Sequence, residues 1–161
     1  DAHAAGAMML SRSLVVAAIG LLALAPACLA ETFRLEDPAS QVFPPNAHWE
    51  WAPGSLRTGI NTVHMNLRVE VRIDTRAWAG RQGRIYMVLP VDAGGPVTAE
   101  WTTQGRLLGG RLVSGERALV YSGAIPGPAL EDTLRVHLAT DARQMTTETQ
   151  RLAFHFELDT P

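Results

Sequence analysis

The chain has 161 residues with 14 basic and 16 acidic side chains, so its formal net charge is −2 at neutral pH. This balance predicts no binding to nucleic acid. A single cysteine in the whole chain excludes an intramolecular disulfide, so the fold must be held together by packing.

Residues 9–30 have the three parts of a bacterial secretory signal. Arg12 supplies a positive charge near Met9, residues 14–24 form an uncharged apolar run, and small residues precede Glu31. The run is too short to span a bilayer comfortably. We therefore expect cleavage near Ala30, no integral membrane segment afterwards, and export to the periplasm, the cell surface or the medium. Residues 1–8 lack any signal feature and are interpreted as upstream translated residues or residues added for expression.

Cys28 offers an alternative, in which it becomes the lipid-modified first residue of a lipoprotein. The preceding residues 25–27 are Ala-Pro-Ala, which lack the usual leucine of a lipobox and place a proline in its second position. We therefore favour cleavage after Ala30 and keep lipidation at Cys28 as the alternative.

Residues 31–161 have the length of one domain, and their patterning predicts β-structure. Thr62–Asp74 alternates throughout, which predicts a long antiparallel strand with one buried and one solvated face. Residues 84–89 are more uniformly apolar, which predicts a strand buried on both sides that ends before Pro90. Short alternating segments punctuated by glycine and proline predict a single antiparallel β-sandwich, immunoglobulin-like or jelly-roll-like, with a small β-barrel as the alternative.

The end of the chain contains two more alternating segments, residues 134–138 and 152–158. We expect them to form the last hairpin. Residues 128–139 also fit a helix, because leucines recur there at a spacing of four, but the alternating centre favours a strand.

This expected hairpin gives a candidate metal site. If it turns near residue 146, His137 lies opposite His155, with Glu157 on the same side. Two imidazoles and a carboxylate suit zinc or copper. Side chains on one strand face project in parallel, however, whereas tetrahedral ligands must converge, so a solvated strand face is the competing interpretation.

The proline-rich segment before the long strand contains Trp49 and Trp51. Both side chains point the same way in an extended chain, which suits a sugar-stacking platform for a carbohydrate-binding module, although large aromatics also close cores. Trp78 is a further candidate. His48 and Glu50 have the H-x-E spacing of zinc deaminases, but the cysteine ligands of those enzymes are missing.

The sequence contains no catalytic motif and no phosphate-binding glycine loop, so we expect a protein that is not an enzyme and has no cofactor. The favoured hypothesis is an exported module that acts by protein–protein contact or self-assembly in the bacterial envelope, for example as a pilus or surface-fibre subunit. Phe33 and Leu35, in an alternating segment after the cleavage site, are candidates for adding a strand to a neighbouring sheet. Carbohydrate binding and a metal-binding protein or enzyme at His137 and His155 are the alternatives.

Overall fold

The computed structural model describes residues 31–54, 61–91, 95–145 and 154–161. The expected signal and Cys28 lie outside these residues. Within them the chain forms ten strands, two short 3-10 turns and no α-helix. The strands are β1 (Glu31–Leu35), β2 (Gln41–Phe43), β3 (Glu50–Trp51), β4 (Thr62–Asp74), β5 (Gln82–Val88), β6 (Thr98–Thr103), β7 (Gly110–Val113), β8 (Arg117–Ala124), β9 (Ala129–Asp141) and β10 (His155–Thr160).

The strands form two antiparallel sheets packed face to face, which confirms the predicted β-sandwich. The four-stranded sheet has the order β1-β10-β5-β8. The six-stranded sheet has the order β2-β4-β9-β6-β7, and β3 pairs with β4 beside β2. The core lies between the sheets and is built from their inward-facing aliphatic side chains, Trp101 and Phe156.

The long strand β4 has the predicted bounds and the predicted two faces. Val71 and Ile73 are buried, whereas Glu70 and Arg72 are exposed. Two inward-facing residues near the middle of β4, Leu67 and Val69, are only half-buried. The core is therefore incompletely covered at that point.

The prediction that residues 84–89 are buried on both sides is wrong. β5 alternates like the other strands, with Ile85 and Met87 buried, Arg84 exposed and Tyr86 half-buried. Tyr86 looked like part of an apolar run, but its ring lies on the outer face of the sheet beneath the guanidinium of Arg117, 4.2 Å from the ring centroid.

The predicted last hairpin is also wrong, although the preference for a strand over a helix at residues 128–139 is confirmed, since β9 spans Ala129–Asp141. β9 pairs with β4 and β6 in the six-stranded sheet, whereas β10 pairs with β1 and β5 in the other sheet. The two strands therefore contribute inward-facing side chains from opposite sides of one core. Alternation identifies a buried face, but it does not show which sheet a strand joins.

The two sides of the sandwich differ in how they are closed. At the β7–β8 side, backbone hydrogen bonds join the sheets' margins, including Leu108 N–H to Val120 O at 2.7 Å and Gly115 N–H to Leu89 O at 2.7 Å. At the other side the chain leaves the four-stranded sheet after β1 and crosses to enter the six-stranded sheet as β2. Asp74 N–H donates to Glu36 O at 2.9 Å and holds the start of this crossing.

Candidate contact surface

An apolar cleft of about 270 Å³ opens between the sheets beside the crossing from β1 to β2. Its walls come from the core-facing sides of five strands, β2, β4, β5, β9 and β10, and include Leu67, Met87, Val136 and Phe156. These walls explain why the middle of β4 is only half-buried. The cleft gives solvent access to the sandwich interior at the side where the chain crosses from β1 to β2.

The margin of this side carries two exposed apolar side chains, Val42 at 47% and Trp51 at 49% of full exposure. Val42 pairs with Val69 and Trp51 pairs with Val63, so both lie on the core-facing side of the sheet, at its edge. Directly paired residues in a sheet share a face. Among the described strands, β2 and β3 have no neighbour on their outer edges. We call this margin, Val42 and Trp51 together with the cleft that Val42 lines, the open edge.

The rim of the cleft is polar. Ser40 contributes its hydroxyl oxygen, which accepts a hydrogen bond from Arg72 N–H at 3.0 Å. Asp37 also lines the cleft, and its carboxylate forms no ion pair with any residue that the structure describes. The open edge therefore combines an apolar floor, an unpaired backbone edge and a polar rim.

Phe33 and Leu35, the sequence candidates for strand donation, lie in β1 within the chain's own sheet. Leu35 is 4% exposed and pairs with Phe156 of β10. The Phe33 ring lies against Trp78, with 4.4 Å between ring centroids. Both side chains thus serve the chain's own packing instead of extending from a free segment.

The tryptophans do not form a common exposed platform. Trp49 packs against the core, and its indole N–H is buried without a hydrogen-bond partner among the described residues. Trp51 is exposed at the open edge, and Trp78 lies between Phe33 and the guanidinium of Arg81. Of the two rings that the sequence suggested for stacking a sugar, Trp49 and Trp51, only Trp51 is exposed.

The expected pairing of His137 with His155 is wrong, since these residues lie on opposite outer faces of the sandwich. His155 and Glu157 are neighbours on β10, with Nε2 and Oε1 3.2 Å apart. On the other sheet, His137 pairs with Asn66, and its ring lies 5.6 Å from that of His64. In the described part of the chain, no three metal-ligating side chains converge on one ion position as they stand.

The outer face of the four-stranded sheet carries a network of charged groups around Asp159. Arg117 donates to both carboxylate oxygens of Asp159, at 3.1 and 2.9 Å, and the hydroxyl of Thr32 donates to the same carboxylate at 2.7 Å. The hydrogen bond from Arg117 is the main cause that lowers the pKa of Asp159 below its usual value. The side chains of this network thereby connect three strands, so the network has a structural role.

A larger depression of about 530 Å³ is a weaker candidate because its charges are already paired. Arg72 forms an ion pair with Glu131 at 3.1 Å, and Asp132 accepts a hydrogen bond from Leu107 N–H at 2.8 Å. These contacts hold the strand ends around the depression together.

Comparison of the chain with protein-family models, with curated proteins and with solved structures found no match. No helix among the residues that the structure describes has the length and apolar character needed to cross a membrane.

Sequence reasoning missed the open edge. Val42 lies in a short segment bounded by Pro38 and Pro44, where too few residues alternate to predict a strand. The alternation of β4 did place His64 on a solvated face. Its proximity to His137 depends on the register between β4 and β9, which pattern alone does not supply.

Proposed function

We propose that this protein is a non-catalytic β-sandwich module that self-assembles through its open edge, in the bacterial envelope or on the cell surface. The observation that carries the proposal is the apolar cleft at the margin where β2 and β3 have no described neighbour. An unpaired strand edge presents backbone donors and acceptors that can pair with another strand.

A second copy of the chain is the occupant that the charges favour. The surface beside β2 carries both signs, with Arg68 3.5 Å from Glu70 and Arg72 3.1 Å from Glu131. The net charge of the chain is only −2. The same surface of two copies can therefore face each other without bringing large charges of one sign together.

The most direct geometry is a two-fold contact in which β2 of one copy pairs antiparallel with β2 of the other. β2 runs from Gln41 to Phe43, so Val42 is its middle residue. In a symmetric antiparallel pair the middle residue lies opposite its own copy. Such a contact covers Val42 on both copies and closes the mouths of both clefts.

The proposal is tested by measuring the mass of the purified protein in solution from micromolar to millimolar concentration. Val42→Arg places a charge in the contact, and Leu119→Arg is the matched control, because Leu119 is also an exposed apolar residue but lies on β8 at the other side of the sandwich. We expect dimers in the native protein and in Leu119→Arg, and monomers in Val42→Arg. A protein that is monomeric throughout, or one whose association survives Val42→Arg, would overturn the proposal.

A further inference from the structure

The outer face of the six-stranded sheet gathers three of the chain's five histidines beside one carboxylate. Glu50 of β3 pairs directly with His64 of β4, and His137 of β9 pairs with Asn66 of β4. His64 and Asn66 are two residues apart and share the outer face, because the intervening Met65 is buried. Glu50, His64 and His137 thus form a staggered row across three adjacent strands, in which His137 is diagonal to His64 because His64 itself pairs with Ala139.

The distances in this row are close to those of a metal site. The carboxylate of Glu50 lies 3.5 Å from His48 Nε2 and 4.0 Å from His64 Nε2. Ligand atoms bound to one tetrahedral zinc ion are about 3.4 Å apart, given bonds of about 2.1 Å. Glu50 and His48 are largely exposed, at 60% and 77% of full side-chain exposure, so both can rotate without disturbing the core. His64 is 19% exposed and provides the fixed centre of the row.

A hydrogen bond to Asn66 orients the ring of His137. Its Nδ1 lies 2.9 Å from the side-chain oxygen of Asn66, and with the amide in this orientation Nδ1 donates the hydrogen bond. In a neutral imidazole the other nitrogen, Nε2, then has a free lone pair. Metal-binding histidines are oriented in this way, by donating their other N–H to a neighbouring oxygen.

We propose that Glu50, His64 and His137 bind a divalent transition-metal ion of the zinc type, with His48 as a fourth ligand. The donor set of imidazoles and one carboxylate suits zinc and its chemical neighbours. Binding requires rotation of the exposed Glu50 and His48 side chains toward His64, and it does not depend on self-assembly at the open edge.

The test is a titration of the purified chain with Co²⁺, whose visible absorption reports tetrahedral ligation, followed by displacement with Zn²⁺. All variants carry His3→Ala, so that the histidine outside the described residues does not contribute. We expect one Co²⁺ per chain. His64→Ala and Glu50→Gln should each weaken binding at least tenfold, and Asn66→Ala, which removes the orienting oxygen, about tenfold.

His155→Ala is the matched control, because His155 lies beside a carboxylate on the opposite sheet and should leave Co²⁺ binding unchanged. Circular dichroism of each variant separates loss of binding from loss of fold, and Glu50→Gln changes only an exposed residue. Absence of Co²⁺ binding would overturn the proposal. Binding that survives both His64→Ala and Glu50→Gln, or that is lost with His155→Ala, would also overturn it.

Discussion

Leu35 of β1 lies directly opposite Phe156 of β10, and both side chains are buried in the same core. The first and last described strands are thereby neighbours in one sheet. Removing Leu35 leaves a cavity beside Phe156, and truncating a buried leucine costs about 2–5 kcal/mol of unfolding free energy. We expect Leu35→Ala to show this loss in chemical denaturation.

The matched control for this change is Arg34→Ala, since Arg34 is exposed on the other face of β1. It should alter stability little. If Leu35→Ala is as stable as Arg34→Ala, β1 does not pack in its own sheet, and the segment is free to donate itself to a partner.

The closed and open parts of the core should respond differently to a buried charge. Ile73 is fully buried, whereas Val69 lines the cleft and is half-buried. An unpaired buried charge costs several kcal/mol, against a total stability of about 5–15 kcal/mol. We expect Ile73→Asp to unfold the protein, and Val69→Asp to remain folded with a lower melting temperature because its carboxylate reaches water through the cleft.

Circular dichroism and thermal melts of these two variants provide the comparison. Glu70→Gln, at an exposed position between them, should melt like the native protein. Loss of fold in both aspartate variants would show that the cleft is closed in solution.

The ion pair of Asp159 with Arg117 predicts a pH dependence of stability. Because the folded pKa of Asp159 is lowered, its contribution is fully present above the unfolded pKa, near 4, and is lost as the pH falls through the folded value. At neutral pH we expect Asp159→Asn to be less stable than the native protein by about 1 kcal/mol. This difference should shrink in chemical denaturation near pH 3.

Arg117→Gln removes the other partner of the ion pair. Its loss of unfolding free energy relative to the native protein should also become smaller in acid. A difference between native and Asp159→Asn proteins that stays constant or grows below pH 4 would contradict the ion pair.

The fold class and the longest strand could be predicted from the sequence because β4 alternates over thirteen residues. The pairing of the strands could not be predicted in the same way. β10 alternates identically whether it joins the four-stranded or the six-stranded sheet, because its buried face meets the same core from either side. The error at His137 and His155 follows from this limit. The open edge depends on where β1 crosses between the sheets, and the short proline-bounded segment around Val42 carries no periodic signal of that crossing.

The proposed self-assembly through β2 can be tested by cross-linking. In a two-fold antiparallel contact the two Val42 residues face each other, and directly opposed strand residues have Cα atoms about 4.5–5.5 Å apart, within the range for a disulfide. We predict that Val42→Cys, with Cys28→Ser to remove the native thiol, forms a disulfide-linked dimer under mild oxidation, whereas Leu119→Cys in the same background stays monomeric. A Val42→Cys protein that does not cross-link, or that cross-links no more than Leu119→Cys, would contradict it.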